Sequence, residues 1–224
     1  MKQQYDLEFV RDTIHAIGRC GLTLPSIRDL TMKILLKSIE RRSEIVLAEL
    51  VVTIKSLIQA DEGNSQNGKL ILQFIGLLDK IHAKHARACI IWAIGEYCSV
   101  IHEYVPDKIR ILAKLFIKEE SEVKLQILNA SCKAFLQLPN YANVLSSLFQ
   151  YICNLAKYDT SYDIRDRARA FYALIISPNV PTLRNHVKAL LCATKPVPFY
   201  SAHFIGQISQ THYALYHYLL TLIF

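Results

Sequence analysis

The sequence predicts an all-α fold, an α-solenoid of about five helix pairs followed by an irregular C-terminal tail. Three observations carry that expectation. Of the 224 residues, 52% are hydrophobic and 20% charged, a core-forming composition. Glycine and proline number only 7 each, too few for the turns of a β-sandwich or barrel of this length. Five segments also share one pattern, a polar start running into a long apolar helix, at intervals of roughly 40 residues.

These first helices are expected at Glu8–Cys20, Glu44–Leu57, His85–Cys98, Glu122–Phe135 and Asp163–Ile176. Their first apolar residues are Phe9, Ile45, Ala86, Val123 and Ile164, with spacings of 36, 41, 37 and 41 residues. Tetratricopeptide and ankyrin units are shorter, so the spacing points to the HEAT/armadillo class. A second amphipathic helix follows each. Leu24–Arg41 has Thr23 as a candidate N-cap and Pro25 in its first turn, where a missing N–H costs nothing. Lys69–Ile81 follows a polar loop, Asp61–Gly68, in which Gly63, Asn64 and Gly68 are expected to break the preceding helix. Pro106–Lys118 again carries proline in its first turn, and Tyr141–Lys157 restarts after Pro139 and Asn140. Pro181–Leu191 is the weakest of the five.

One pair cannot bury its own apolar face, so stacked neighbours must complete the core. Ala86–Cys98 is apolar almost all round and is expected to be buried on both sides, with Trp92 in the core. The solenoid is expected to occupy residues 1–192. Residues 193–224 read as an extended, proline-containing tail with an apolar end, because Pro196 and Pro198 disfavour helix before them. A short helix is expected near Tyr213–Phe224.

The six cysteines lie mostly in apolar runs without a CxxC pair and read as reduced, buried, small hydrophobes of a cytoplasmic protein. No apolar run reaches the roughly 20 residues needed to cross a bilayer, so membrane contact is expected to be peripheral. The phosphate-loop, dinucleotide, nucleophile-elbow and zincin motifs are all missing, so neither an enzyme nor a cofactor is expected. His82, His85 and Cys89 share one face of a continuous helix, yet a fourth zinc ligand is not evident. The simpler reading is two solvent-facing histidines and a core cysteine.

Charge is the more informative signal. The formal net charge is +7, which suits an acidic partner without choosing one. Lys33, Lys37 and Arg41 recur at four-residue steps on one second helix, and Arg110, Lys114 and Lys118 do so two units later. Equivalent helices of a regular solenoid face the same way, so both stripes are candidates for one surface, binding an acidic protein or a phosphoinositide, or serving only as a solvated face. Arg165, Arg167 and Arg169, interleaved with Asp163 and Asp166, read as ties between neighbouring repeats. Nucleic-acid binding is not expected, because aromatics do not interleave with the cations.

Four motifs point to a family. VRDTIHAIGRCGLTL at Val10–Leu24 resembles the AIGRCA helix of β-adaptins, and ARACIIWAIGEY at Ala86–Tyr97 resembles their ARA…IW.IGEY signature. Lys124-Leu125-Gln126 is similar to the VKLQ helix. NLAKYDTSYDIRDRAR at Asn154–Arg169 resembles the β chains of the type-three, lysosomal-sorting adaptor complex. The resemblance spans roughly residues 8–200. It implies a scaffold subunit of a four-chain vesicle coat that packs against medium, small and second large adaptor subunits. It also implies recruitment by an Arf-type GTPase to Golgi, endosomal and coated-vesicle membranes, and a role in sorting toward lysosomes. Another HEAT-repeat carrier, such as a nuclear-import receptor, is the alternative. Family members have further trunk, an acidic hinge and an ear. The chain is therefore expected to be a truncated product or an incomplete reading of its gene, with uncapped ends that limit solubility.

Overall fold

The computed structural model describes residues 7–39, 43–60, 68–176 and 181–193. Among them are ten α-helices and no strand: α1 (Leu7–Thr23), α2 (Arg28–Ser38), α3 (Glu44–Ala60), α4 (Gly68–Gly76), α5 (Lys84–Glu96), α6 (Val105–Leu115), α7 (Ser121–Gln137), α8 (Ala142–Ala156), α9 (Tyr162–Ile175) and α10 (Pro181–Leu191). The odd-numbered helices pack against one another in chain order, and each even-numbered helix lies against at least one odd-numbered neighbour. This is the all-α solenoid of five pairs. Arg41, the Asp61–Asn67 part of the loop, and the extended prolines and terminal helix of the tail lie outside the described residues.

The core runs unbroken from Ile14 in α1 to Val187 in α10. Phe74, Phe116 and Phe149 are fully buried beneath the even-numbered row, and Phe149 stacks on Phe135 with ring centroids 6.0 Å apart. α5 buries Ala86, Cys89, Ile90, Ile91, Ala93, Ile94 and Gly95, residues that cover most of its circumference. At Gly95 α5 runs close against α7, since a β-carbon there would stand 2.8 Å from the Ala130 Cα. Trp92 is only half-buried. It lies under the Lys55 ammonium, 4.6 Å from the ring centroid, and meets Tyr97 edge to face. It packs against the core from the α3–α5 junction without being fully enclosed by it.

Helix ends depart from the sequence expectation in two ways. Thr23 does not cap α2. It closes α1, donating its hydroxyl to the Arg19 and Cys20 carbonyls, and a 3-10 turn (Pro25–Ile27) precedes α2. Gly68 opens α4 instead of ending a loop. Second, α4 and α6 each finish in a 3-10 turn, Leu77–Asp79 and Phe116–Lys118. Arg87 accounts for both endings. Its guanidinium donates to the Leu78 and Ile81 carbonyls at 2.9 Å, drawing them off the helical path, and makes a two-pronged pair with Glu119, whose backbone is extended to present its carboxylate.

Arg87 is the fourth residue of α5. Lys124, the fourth residue of α7, reaches Asp159 just before α9 at 2.7 Å, and both side chains are nearly buried. Arg165, the fourth residue of α9, donates to the Asp159 and Thr160 carbonyls. A cation at one equivalent position of α5, α7 and α9 thus reaches a turn between repeats, whereas α3 has Leu47 there. A second set runs further along the same helices: Arg11 and His15 hold Glu49 across α1–α3, Lys133 holds Glu96 across α5–α7, and Arg167 donates to Asn129 across α7–α9. Of the three arginines expected to tie repeats together, only Arg167 does so through a side chain of the preceding repeat. Arg169 pairs with Asp166 within its own helix.

Burial pushes the Asp159 carboxyl up, but the Lys124 ammonium and the Ser161 N–H outweigh it, leaving the group below its ordinary 3.8. The hydrogen bond from His15, assisted by Arg11, holds Glu49 below its ordinary 4.5. A depressed carboxyl contributes stability above its unfolded value and loses it as pH falls toward the folded one. Urea midpoints should therefore be flat near neutrality and fall below about pH 4.5. Lys124→Met should be less stable at neutral pH yet lose less on acidification. Arg87→Met should cost about 3–5 kcal/mol by urea titration, because it strands a nearly buried carboxylate and two carbonyls. Gly95→Ala should cost about 1–3 kcal/mol by forcing α5 off the α7 backbone. Gly76→Ala, with open space around its β-carbon, should be neutral or stabilising by up to about 1 kcal/mol.

Candidate interaction surface

The stripes lie on even-numbered helices, as the pattern requires. Lys33 and Lys37 are exposed on α2, and Arg110 and Lys114 are exposed on α6. Lys118 is exposed too, but it lies in the 3-10 turn after α6, so the four-residue register with Arg110 and Lys114 does not carry through to it. α2 and α6 are not neighbours. α4 occupies the intervening repeat and contributes the exposed Lys69, Gln73 and, just beyond its 3-10 turn, Lys80. Arg110 is engaged by Asp107 at 2.9 Å in a solvent-exposed pair of small energetic weight. Among the described residues, Lys33, Lys37, Lys114 and Lys118 have no carboxylate partner.

The stripes are also partly apolar, a feature the charge pattern alone does not reveal. Leu30 and Ile34 are exposed beside Lys33 and Lys37, and Ile111 and Leu115 beside Arg110 and Lys114. The signal was present in the sequence. An apolar residue directly follows Lys33, Arg110 and Lys114, placing Ile34, Ile111 and Leu115 out of phase with the helix's buried side. Alternating cations and branched apolar groups give these faces two ways to bind, by charge-assisted contact and by burial of apolar area.

Where the end of α6 approaches the turn before α5, the surface folds into a groove of about 440 Å³ lined by Leu78, Leu112, Leu115, Val123, Lys84 and Lys118, among others. Arg87 and Glu119 pair within its wall.

The metal-like trio comes apart. His82 precedes α5 and is exposed, His85 pairs with Glu122 at 2.8 Å, and Cys89 is buried. His82 and Cys89 therefore do not share a helical face, because the helix begins only at Lys84. Cys89, Cys98, Cys132 and Cys153 are buried, while Cys20 is exposed and Cys192 intermediate. Burial pushes the Cys98 and Cys153 thiols up to about 12, which suppresses the nucleophilic thiolate. Among the described residues no helix is long and apolar enough to cross a membrane.

Known proteins resemble this chain along most of its length. Residues 1–179 match the family model described as the Adaptin N terminal region. The chain is 42% identical over 200 residues to AP-3 complex subunit beta-2 of Mus musculus, covering 89% of this chain and 18% of that protein. It is 41% identical over 215 residues to AP-3 complex subunit beta-1 of Homo sapiens, covering 92% and 19%. It is 30% identical over 245 residues to AP-3 complex subunit beta of Dictyostelium discoideum, covering 86% and 22%. The chain thus spans about a fifth of the length of these relatives. Among solved structures, a chain of the "Homology model of the full-length AP-3 complex in an intermediate open conformation" superposes with a TM-score of 0.63 at 28% identity, covering 77% of this chain and 32% of that one.

Charge reversal gives a simple check on the even-numbered faces. Replacing Lys33, Lys37 and Lys114 together with glutamate should change the unfolding free energy by no more than about 0.5 kcal/mol per substitution, since exposed side chains without ion partners add little to stability.

Proposed function

The chain belongs to the adaptin N-terminal family, and on that premise we propose that it is part of the scaffold subunit of a heterotetrameric adaptor coat of the AP-3 type, acting in vesicle-mediated protein transport toward lysosome-type compartments. The likeness to AP-3 β subunits across nearly the whole chain carries this reading. The fold supports it, because a two-row solenoid offers long continuous faces on which other folded chains can seat. The role is binding rather than catalysis. The partners are the medium, small and second large adaptor subunits. A nuclear-import receptor or another HEAT carrier is not favoured.

The even-numbered faces carrying Lys33, Lys37, Arg110, Lys114 and Lys118, together with Arg41 of the sequence stripe, supply an electrostatic contact with an acidic partner or a phosphoinositide headgroup. That contact assists recruitment by an Arf-type GTPase to Golgi and endosomal membranes, where the protein is peripheral. Nucleic acid is not a partner.

Co-purification tests the assembly. The chain, or the longer protein that carries it, should be recovered with the medium and small adaptor subunits, and failure to recover them would sink the adaptor reading. Lys33→Glu, Lys37→Glu, Arg110→Glu and Lys114→Glu together should weaken recruitment to anionic membranes by about 1 kcal/mol per cation. Undiminished recruitment would return these residues to an ordinary solvated face.

A further inference from the structure

Charge is divided unevenly between the two rows of helices. The even-numbered helices carry nine lysines and arginines, three in α2, one in α4, three in α6 and two in α10, against two acids, Asp29 and Asp107. The odd-numbered helices carry ten against eight, and several of those cations are engaged in ties between repeats. Asp107 is itself held by Arg110, and Asp79, in the turn after α4, by Lys108. The exposed Glu103 and Glu120 belong to turns and not to the even-numbered helices. Lys33, Lys37, Lys69, Lys114 and Lys188 are left exposed and, among the described residues, without a carboxylate partner. Asp29 opposes them on the row.

The kind of cation discriminates between occupants. All five are lysines. Arginine grips a carboxylate or phosphate with two parallel hydrogen bonds, whereas an ammonium on its flexible stem acts as a hydrated point charge. Lysine is also depleted from protein–protein interfaces, where arginine is enriched. The five lysines are spread over four repeats, and among them Leu30, Ile34, Ile111 and Leu115 stand 37% to 59% exposed. That combination suits a broad anionic surface with an apolar layer beneath its charges.

We propose that the even-numbered row lies against the surface of an anionic bilayer. Diffuse lysine charge holds it there, with Leu30, Ile34, Ile111 and Leu115 shallowly buried at headgroup level and no pocket for one headgroup. The proposal rests on the reading of the α2 and α6 stripes as a recruitment surface. It extends that surface to Lys69 of α4 and Lys188 of α10, and it commits the surface to lipid.

Cosedimentation of the full chain with vesicles tests it, with folding of each variant checked by its urea midpoint. Phosphatidylcholine vesicles containing phosphatidylserine should bind the chain, and vesicles of equal total charge containing a phosphoinositide should bind it within about threefold. Lys69→Gln and Lys188→Gln should each weaken binding about fivefold, and Lys33→Gln with Lys37→Gln about 30-fold, at roughly 1 kcal/mol per cation. Lys69→Arg should bind as the parent does, because only the charge counts. Ile34→Ser with Ile111→Ser should weaken binding at every salt concentration, and added salt should weaken it in the parent. Binding confined to phosphoinositide vesicles would overturn the proposal in favour of a headgroup pocket. Equal binding to pure phosphatidylcholine, or undiminished binding by both Lys69→Gln and Lys188→Gln, would overturn it as well. So would an absence of vesicle binding, and capture of a glutamate-rich peptide through the same lysines would then assign the row to protein. Vesicle binding that depends on these lysines in a chain that does not co-purify with adaptor subunits would support the lipid surface and remove the adaptor reading alone.

Discussion

The later repeats of the solenoid depend on a cation at the fourth residue of their first helices, where α1 and α3 have Val10 and Leu47. In α5, α7 and α9 this position holds Arg87, Lys124 and Arg165, and each reaches the turn joining two repeats. The constraint behind it is general. Every helix end leaves carbonyls without partners, and a stack of short helices buries many such ends. A long cationic side chain at the start of the next helix satisfies them and can hold a carboxylate as well. Arg87 does both, and the chain bends into 3-10 turns to accommodate it. The apolar core supplies most of the driving force for stacking, but it is nondirectional. The cations give the later junctions their register.

That division explains which parts of the fold were legible in the sequence. Helix existence, order and the 36–41 residue spacing follow from apolar periodicity, and all five pairs are found among the described residues. The helix ends are set by long-range contacts that local signals do not contain. Thr23 has the chemistry of an N-cap, yet it sits on α1 because the chain continues helically to it and its hydroxyl finds carbonyls one turn back. α4 and α6 stop short because Arg87 and Glu119 meet across a turn. Trp92 was expected in the core on apolar grounds, but its large ring serves better as a platform for Lys55.

The candidate surface was half legible. Cations at four-residue steps identify the α2 and α6 faces, since an exposed helix face keeps its register wherever the helix continues. The register is lost at Lys118, where the helix tightens. The apolar residues beside the cations were readable only as a breach of phase, and their exposure depends on how closely the even-numbered helices approach one another. The groove was not legible at all. It is built from the end of α6, the turn after α4 and the start of both α5 and α7, and no sequence pattern encodes that convergence.

The junctions are also unequal. α5 is fastened to α7 by Arg87–Glu119, Lys133–Glu96 and the backbone approach at Gly95, and α7 to α9 by Lys124–Asp159 and Arg167–Asn129. Between α3 and α5, Lys55 lies over the Trp92 ring, a contact that tolerates sliding of the cation across the ring face. At that contact the two helices can therefore shift slightly without giving up the attraction, so a small change in their packing angle there costs little.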